Sequence, residues 1–239
     1  MSSSHGVIWT RPERAARGPA PSLSREQITM AAVTLADTRG IAAVSMRALA
    51  VELGVGAASL YRYVARKDEL IELMVDAVIG KDLRFEVRGE WREDLRAFAR
   101  SLRAMTLRHA WMAVPSAGLR GFGPNTAHCY ERVLGVIDGL GLDIDEMLVM
   151  VETLDAFVRG RVLEELSEQE AVRRSGLGQE QWMQTQIPYI ESLVESGRYP
   201  LLTRVVLDAR GPHDPDRLKH GFDLGLERVL DGLATMFPE

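Results

Sequence analysis

Residues 44–68 read VSMRALAVELGVGAASLYRYVARKD, and this run constrains the fold more than any other part of the chain. Its apolar residues recur at helical spacing, so it reads as two short helices joined by a tight turn, followed by the charged start of a third. Ser45 is placed to cap a short helix whose buried face is Met46, Leu49, Ala50 and Leu53. Gly54 can take the positive φ that a tight helix–helix turn requires, and Val55 can plug the angle between the two helices. A second short helix over about 57–64 turns Leu60 and Val64 inward. That leaves Ala57, Ala58, Ser59, Tyr61, Arg62 and Tyr63 outside, with Arg66 and Lys67 at its end and Arg47 on the preceding helix.

Small residues at the front of such a helix let it enter a DNA major groove closely. Ser59 can donate to a phosphate or base edge, Arg62 can reach phosphate or guanine, and the tyrosines can touch sugar-phosphate or a thymine methyl. Lys67 follows as a backbone clamp. A small helical bundle could carry the same pattern as an ordinary amphipathic surface. The coincidence of small front residues, outward tyrosines and basic flanks favours a DNA-reading surface.

The preceding helix has its own boundaries written in. Ser24-Arg25-Glu26-Gln27 is a capping-box pattern, Ile28, Ala31, Ala32, Leu35 and Ala36 form a stripe, and Gly40 supplies the stop. Before it, residues 1–22 hold Arg11, Arg14 and Arg17 among Pro12, Gly18, Pro19 and Pro21. This stretch reads as a flexible basic arm, either a plain tail or a segment lying along phosphates or in a minor groove. Charge is unevenly spread. The net charge is −5, yet residues 1–69 carry nine Arg/Lys against six Asp/Glu, and the remainder 20 against 28. A mildly basic head on an acidic body suits a local DNA contact rather than general nucleic-acid binding.

From residue 68 the pattern stays helical, with Pro and Gly as punctuation. Helices are expected at 68–85, 91–109, 124–139, 143–168, 179–195 and 215–236, with 169–178 and 196–214 irregular. The fold class is therefore all-α: a three-helix head over 23–69 and a larger helical body over 70–239. Asp143 with Glu146 makes a second capping box, and Asp214-Pro215 places a cap before a first-turn proline. Two helices are candidates for pairing two copies. One shows Met147, Met150, Val151, Leu154, Phe157, Val158 and Val162, and the other Phe222, Leu226, Val229, Leu230, Leu233 and Met236. The same faces could equally be buried within one subunit.

A pocket is expected among the helices of 79–165, with Phe98, Leu102, Met105, Trp111, Met112, Phe122, Phe157 and, further on, Trp182 as candidate lining. Flexible methionine and flat aromatic residues suit an apolar or aromatic ligand. His109, His128 and Arg159 are candidate polar anchors. Cys129, the single cysteine, cannot form an internal disulfide and reads as a structural thiol rather than a redox sensor. No nucleophile–base spacing, phosphate loop or His/Cys metal cluster argues for an enzyme, and no cofactor is called for. No apolar run is long enough to span a membrane and no signal peptide leads the chain, so a cytoplasmic location is expected.

The run LADTRGIAAVSMRALAVELGVGAASLYRYVARKDELIELMVDAV resembles the N-terminal domain of TetR-family transcriptional regulators. The resemblance implies a homodimer on a roughly palindromic DNA operator, usually repressing transcription until a small effector binds, though an activator would use the same contacts. Within it, Leu60-Tyr61-Arg62-Tyr63 corresponds to the family's recognition-helix signature and Lys67 to its phosphate-contacting lysine. The stretches 155–170 and 222–233 resemble the C-terminal domain of the tetracycline-repressor branch, whose dimers pair through a four-helix bundle. Glu164 corresponds to a glutamate that helps bind metal–tetracycline from the partner subunit. Residues 111–118, WMAVPSAG, carry no histidine where that branch has a metal ligand, so the resemblance implies an effector bound without that metal set.

Overall fold

The computed structural model describes residues 7–11, 23–113, 122–209 and 216–237. Among them are ten α-helices and no strand. The head is built from α1 (Arg25–Arg39), α2 (Met46–Glu52) and α3 (Ala57–Leu60). The body comprises α4 (Lys67–Asp82), α5 (Trp91–Arg108), α6 (Pro124–Ile137), α7 (Ile144–Ser175), α8 (Gln179–Glu195), α9 (Pro200–Asp208) and α10 (Arg217–Ala234).

Local chemistry sets the head's boundaries as the sequence indicates. The Ser24 hydroxyl accepts from the Gln27 N–H while the Gln27 side chain accepts from the Ser24 N–H, closing the capping box. Ser45 caps α2 by accepting from Ala48 N–H at 3.1 Å. At the other end of α2, Gly54 stands at φ +66°. Val55 N–H donates to Ala50 O at 2.9 Å and Gly54 N–H to Val51 O at 3.2 Å, the paired bonds of a Schellman stop. Both are closed within six residues, which explains why a single glycine can redirect the chain.

Two expectations about the body are corrected. α7 runs on through 169–175, because EQEAVRRS contains no breaker before Gly176, which ends the helix at φ +67°. The 196–214 stretch is not wholly irregular: Gly197 turns the chain at φ +64° and Pro200 starts α9 at its first position. On pairing, the sequence left two readings open. Met147, Met150, Val151, Leu154, Val158 and Val162 of α7, and Phe222, Leu226, Leu230 and Leu233 of α10, lie buried in the subunit's own core. An amphipathic pattern reports that a face is covered, not which chain covers it. Asp214-Pro215 and residues 114–121 lie outside the described residues.

α4 is the shared element, packed against α1 on the head side and against α5 and α6 on the body side. Leu70, Met74 and Val78 give it a continuous buried face. α5 and α10 are joined by a ladder of charge. Arg92 donates to Glu227 and Asp231, Arg96 makes paired hydrogen bonds to Glu227 at 2.6 and 2.8 Å, and Arg100 donates to Asp223 at 2.9 Å. Bidentate guanidinium–carboxylate geometry fixes the register of the two helices as well as their contact.

Candidate nucleic-acid interface and effector site

The head presents a compact polar surface. Arg47, Ala58, Tyr61, Arg62 and Lys67 are exposed, while Ala57, Ser59 and Tyr63 are half-buried. Regular helix ends at Leu60, sooner than expected, and the chain tightens into turns closed by Arg62 N–H to Ser59 O and Tyr63 N–H to Leu60 O. Tyr61 and Arg62 project from that tightened end. The Ser59 hydroxyl donates to Gly56 O at 2.6 Å, so in the free protein its proton is spent on the turn and its oxygen remains an acceptor. Lys67 is the first residue of α4. Its charge therefore adds to the partial positive charge of a helix N-terminus, and both favour a phosphate there.

Two features around this surface have no motif in the sequence. Residues 8–10 form a 3-10 turn with Ile8 fully buried, and Arg11 donates to Glu69 at 2.6 Å. The expectation of a flexible arm is thus corrected for residues 7–11, whose apolar Ile8 finds a buried site. The rest of 1–22 lies outside the described residues. Arg25 ties this strap to the recognition helix, with Nη1 donating to Arg11 O at 2.8 Å and Nε to Tyr63 O at 3.2 Å. Burial pushes the Glu69 carboxyl up, but hydrogen bonds from Arg11 and the Ala65 N–H, with the charges of Arg11 and Arg66, outweigh it and hold it below its ordinary value.

The second feature joins α4 to α6. Asp76, buried in α4, accepts from Thr126 N–H at 2.8 Å, Thr126 Oγ1 at 2.9 Å, Asn125 Nδ2 at 2.9 Å and Asn125 N–H at 3.3 Å. A carboxylate from another helix thus does the capping that Gly123, the residue before Pro124, cannot do with a side chain.

The candidate effector residues fall into several places. Phe98, Leu102 and Met105 of α5, and Trp111 and Met112 on the turn after it, are buried in one core. Phe157 stacks on Phe222 with centroids 5.6 Å apart. Phe122 is exposed and tilts on Tyr130 at 5.1 Å. His128 is exposed on α6, and Arg159 pairs with Asp155 at 2.5 Å. Glu164 is exposed and accepts from Arg161 at 2.5 Å. Trp182 lines a different place, an apolar groove of about 320 Å³ between α8 and α9 with Tyr189, Leu193, Tyr199 and Leu202, to which none of the other candidates contributes. His109 is corrected as a free anchor: it is buried and both ring nitrogens face protein carboxylates. Cys129 is a half-buried free thiol whose pKa burial pushes up to about 11, the environment of an unreactive sulfur.

A helix-turn-helix head carrying an exposed Tyr–Arg pair, joined by one helix to an all-helical body, defines a DNA-binding transcription regulator rather than an enzyme. The N-terminal model of bacterial regulatory proteins of the tetR family matches residues 28–74, and the tetracyclin repressor-like C-terminal domain matches residues 86–237. The chain belongs to the TetR family. It is 37% identical over 232 residues to the HTH-type transcriptional repressor DrrR1 of Streptomyces coeruleorubidus, covering 96% of this chain and 84% of that protein. It is 26% identical over 216 residues to the class A tetracycline repressor from transposon 1721 in Escherichia coli, covering 89% and 91%. Among solved structures, the Streptomyces coelicolor protein ActR in complex with actinorhodin matches with a TM-score of 0.73 at 30% identity, covering 92% of this chain and 99% of that one. Among the described residues no helix is long and apolar enough to cross a membrane.

Proposed function

We propose that this chain is a cytoplasmic, dimeric repressor that reads a roughly palindromic operator with its 23–69 head and releases it when an apolar or aromatic effector enters the 70–239 body. The observation that carries the DNA half is the exposed Tyr61–Arg62 pair beside Lys67 at the start of α4. Arg62 and Tyr61 reach base edges and sugars, Ala57, Ala58 and Ser59 allow close approach, and Arg47 and Lys67 hold phosphates. A two-fold dimer sets its two recognition helices about 34–36 Å apart, one turn of DNA. The repressor reading draws on DrrR1, which is named a repressor.

The effector half rests on the aromatic and methionine content of the body and on likeness to ActR, whose structure holds actinorhodin. Phe98, Leu102, Met105, Trp111, Met112, Phe122 and Phe157 supply flat and adaptable contacts, with His128 and Arg159 as polar anchors. Glu164, which corresponds to a residue that reaches the ligand from the partner subunit in the tetracycline-repressor branch, would join the site across a dimer, and Trp182 would contribute from the α8–α9 groove.

The test uses a duplex selected from a random-sequence pool by the wild-type protein. Tyr61→Ala with Arg62→Ala is expected to abolish binding while leaving the dimer intact by sedimentation. Lys67→Ala is expected to weaken every duplex alike and reduce the slope of log affinity against log salt by about 2, one phosphate contact being lost from each subunit of the dimer. Unchanged affinity in the first variant, or an unchanged slope in the second, refutes the assignment. Titration of the bound complex with polycyclic aromatic compounds and with fatty acids of matched size then tests the effector class by release of the duplex.

A further inference from the structure

His109 stands at the end of α5 with its side chain 6% exposed. Its Nδ1 lies 2.8 Å from Asp37 Oδ1, on the head helix α1, and its Nε2 lies 3.1 Å from Asp82 Oδ2, at the end of α4. Each carboxylate also accepts from a second donor. The Trp111 indole N–H donates to Asp37 Oδ1 at 2.8 Å, and Arg108 donates to Asp82 Oδ1 at 2.7 Å. The ring nitrogens meet Asp37 from α1 and Asp82 from α4, the Trp111 ring stands edge-on with centroids 6.3 Å apart, and Arg108 of α5 reaches the cluster through Asp82. A neutral imidazole has one N–H and one lone pair, so it can satisfy only one of two carboxylate acceptors; the imidazolium donates to both.

The geometry points to His109 as a proton-dependent positioning residue, one that in its charged form ties the DNA-reading head to the effector body. Losing the proton turns one bond into a lone pair facing a carboxylate, in a buried place where water does not compensate. The bridge that runs from α1 through the ring to α4 is then broken at one end, and the head loses its tie to α4 through His109. A loosened head must be ordered again when both halves of a dimer engage DNA, which lowers operator affinity. The inference rests on the DNA-reading role of the head, but its first test does not.

That first test counts protons. Long-range ¹H–¹⁵N spectra of the full-length protein are expected to show both nitrogens of one imidazole protonated at neutral pH, in a signal absent from His109→Gln. A ring with a single protonated nitrogen overturns the proposal. The second test measures affinity for the selected duplex from about pH 6 to about pH 9, a span that brackets the ordinary histidine titration. Wild type is expected to lose roughly tenfold in affinity relative to Asp82→Asn, the worth of one charge-assisted hydrogen bond. In that isosteric variant the amide donates to a neutral Nε2 while its oxygen still accepts from Arg108, so the clamp survives deprotonation. Parallel pH profiles for wild type and Asp82→Asn overturn the proposal, whatever the absolute affinity of either.

Discussion

Asp76 and Gly123 form a joint whose strength can be worked out atom by atom. The Asp76 carboxylate takes four hydrogen bonds from the first turn of α6, two from backbone N–H groups and two from the Asn125 and Thr126 side chains. At about 1.5–3 kcal/mol net for a bond to a charged group, four bonds set a ceiling of roughly 6–12 kcal/mol. The true loss is smaller, because Asn125 is exposed and Thr126 half-buried, so water can recover part of what Asp76→Ala removes. A cost of about 3–5 kcal/mol remains, or roughly 10 °C in Tm for a chain of this length. Gly123 adds a steric constraint at the same joint. A Cβ at that position would sit 2.2 Å from Asp76 Oδ1 and 2.7 Å from Trp9 Cζ2, so Gly123→Ala forces the carboxylate off its partners. Once Asp76 is already alanine, most of that clash is gone. Urea unfolding of wild type, both single variants and the double variant is expected to show the double less destabilised than the sum by more than about 1 kcal/mol. Additivity within about 0.5 kcal/mol would mean that the two residues act separately, and the shared joint would be wrong.

Acid should loosen the α5–α10 ladder. Hydrogen bonds from Arg96, with those of Arg92 behind them, hold the Glu227 carboxyl down at about 2 despite partial burial. A depressed folded pKa contributes stability that is present above the ordinary value of 4.5 and is lost as pH falls from there toward about 2. Glu227 is about one-third exposed, so solvent screening keeps the contribution modest. Glu227→Gln is expected to flatten part of the fall in urea midpoint between pH 5 and pH 3, and an identical slope in both proteins would exclude the ladder as its source. For the N-terminal strap, Ile8→Ala empties a fully buried site and is expected to cost about 2–4 kcal/mol by the same unfolding measurement. A change within about 0.5 kcal/mol would show that residues 7–11 add nothing to the fold.

What could be read from the sequence was whatever is decided within a few residues. The Ser24–Gln27 and Asp143–Glu146 capping boxes, the Ser45 cap and the Gly54 turn each close through neighbours at most five positions apart, and each stands where the pattern put it. The outward Tyr61 and Arg62 follow from the same arithmetic, since Leu60 is drawn inward. Nothing local announces that Asp76 will cap a helix some fifty residues later, or that His109 will meet Asp37 across 72 positions. Those bonds exist only once α4 has brought head and body together. Arg11 gave a partial signal: a basic residue after an Ile–Trp pair is as consistent with a docked strap as with a free arm, and burial of Ile8 decides between them. The α7 and α10 stripes show the converse limit, because helical periodicity measures how much of a face is buried without naming the surface that buries it.

The three inward carboxylates of α4 explain why this one helix can connect two parts of the molecule without being a mere spacer. Glu69 meets the strap through Arg11, Asp76 meets the start of α6, and Asp82 meets His109 and Arg108 at the end of α5. Along the same helix Leu70, Met74 and Val78 supply apolar burial, which is tolerant of small slides and rotations because it has no direction. The carboxylates are not tolerant. Each is costly to leave buried without its donors, so a shift of α4 by a fraction of a turn would strand several at once. Apolar contact therefore provides the adhesion, and the acids restrict α4 to positions in which all three find partners. A helix held in that way moves between discrete registers rather than drifting. Polar groups, at three points along 16 residues of helix, thus decide where the DNA-reading surface stands relative to the body.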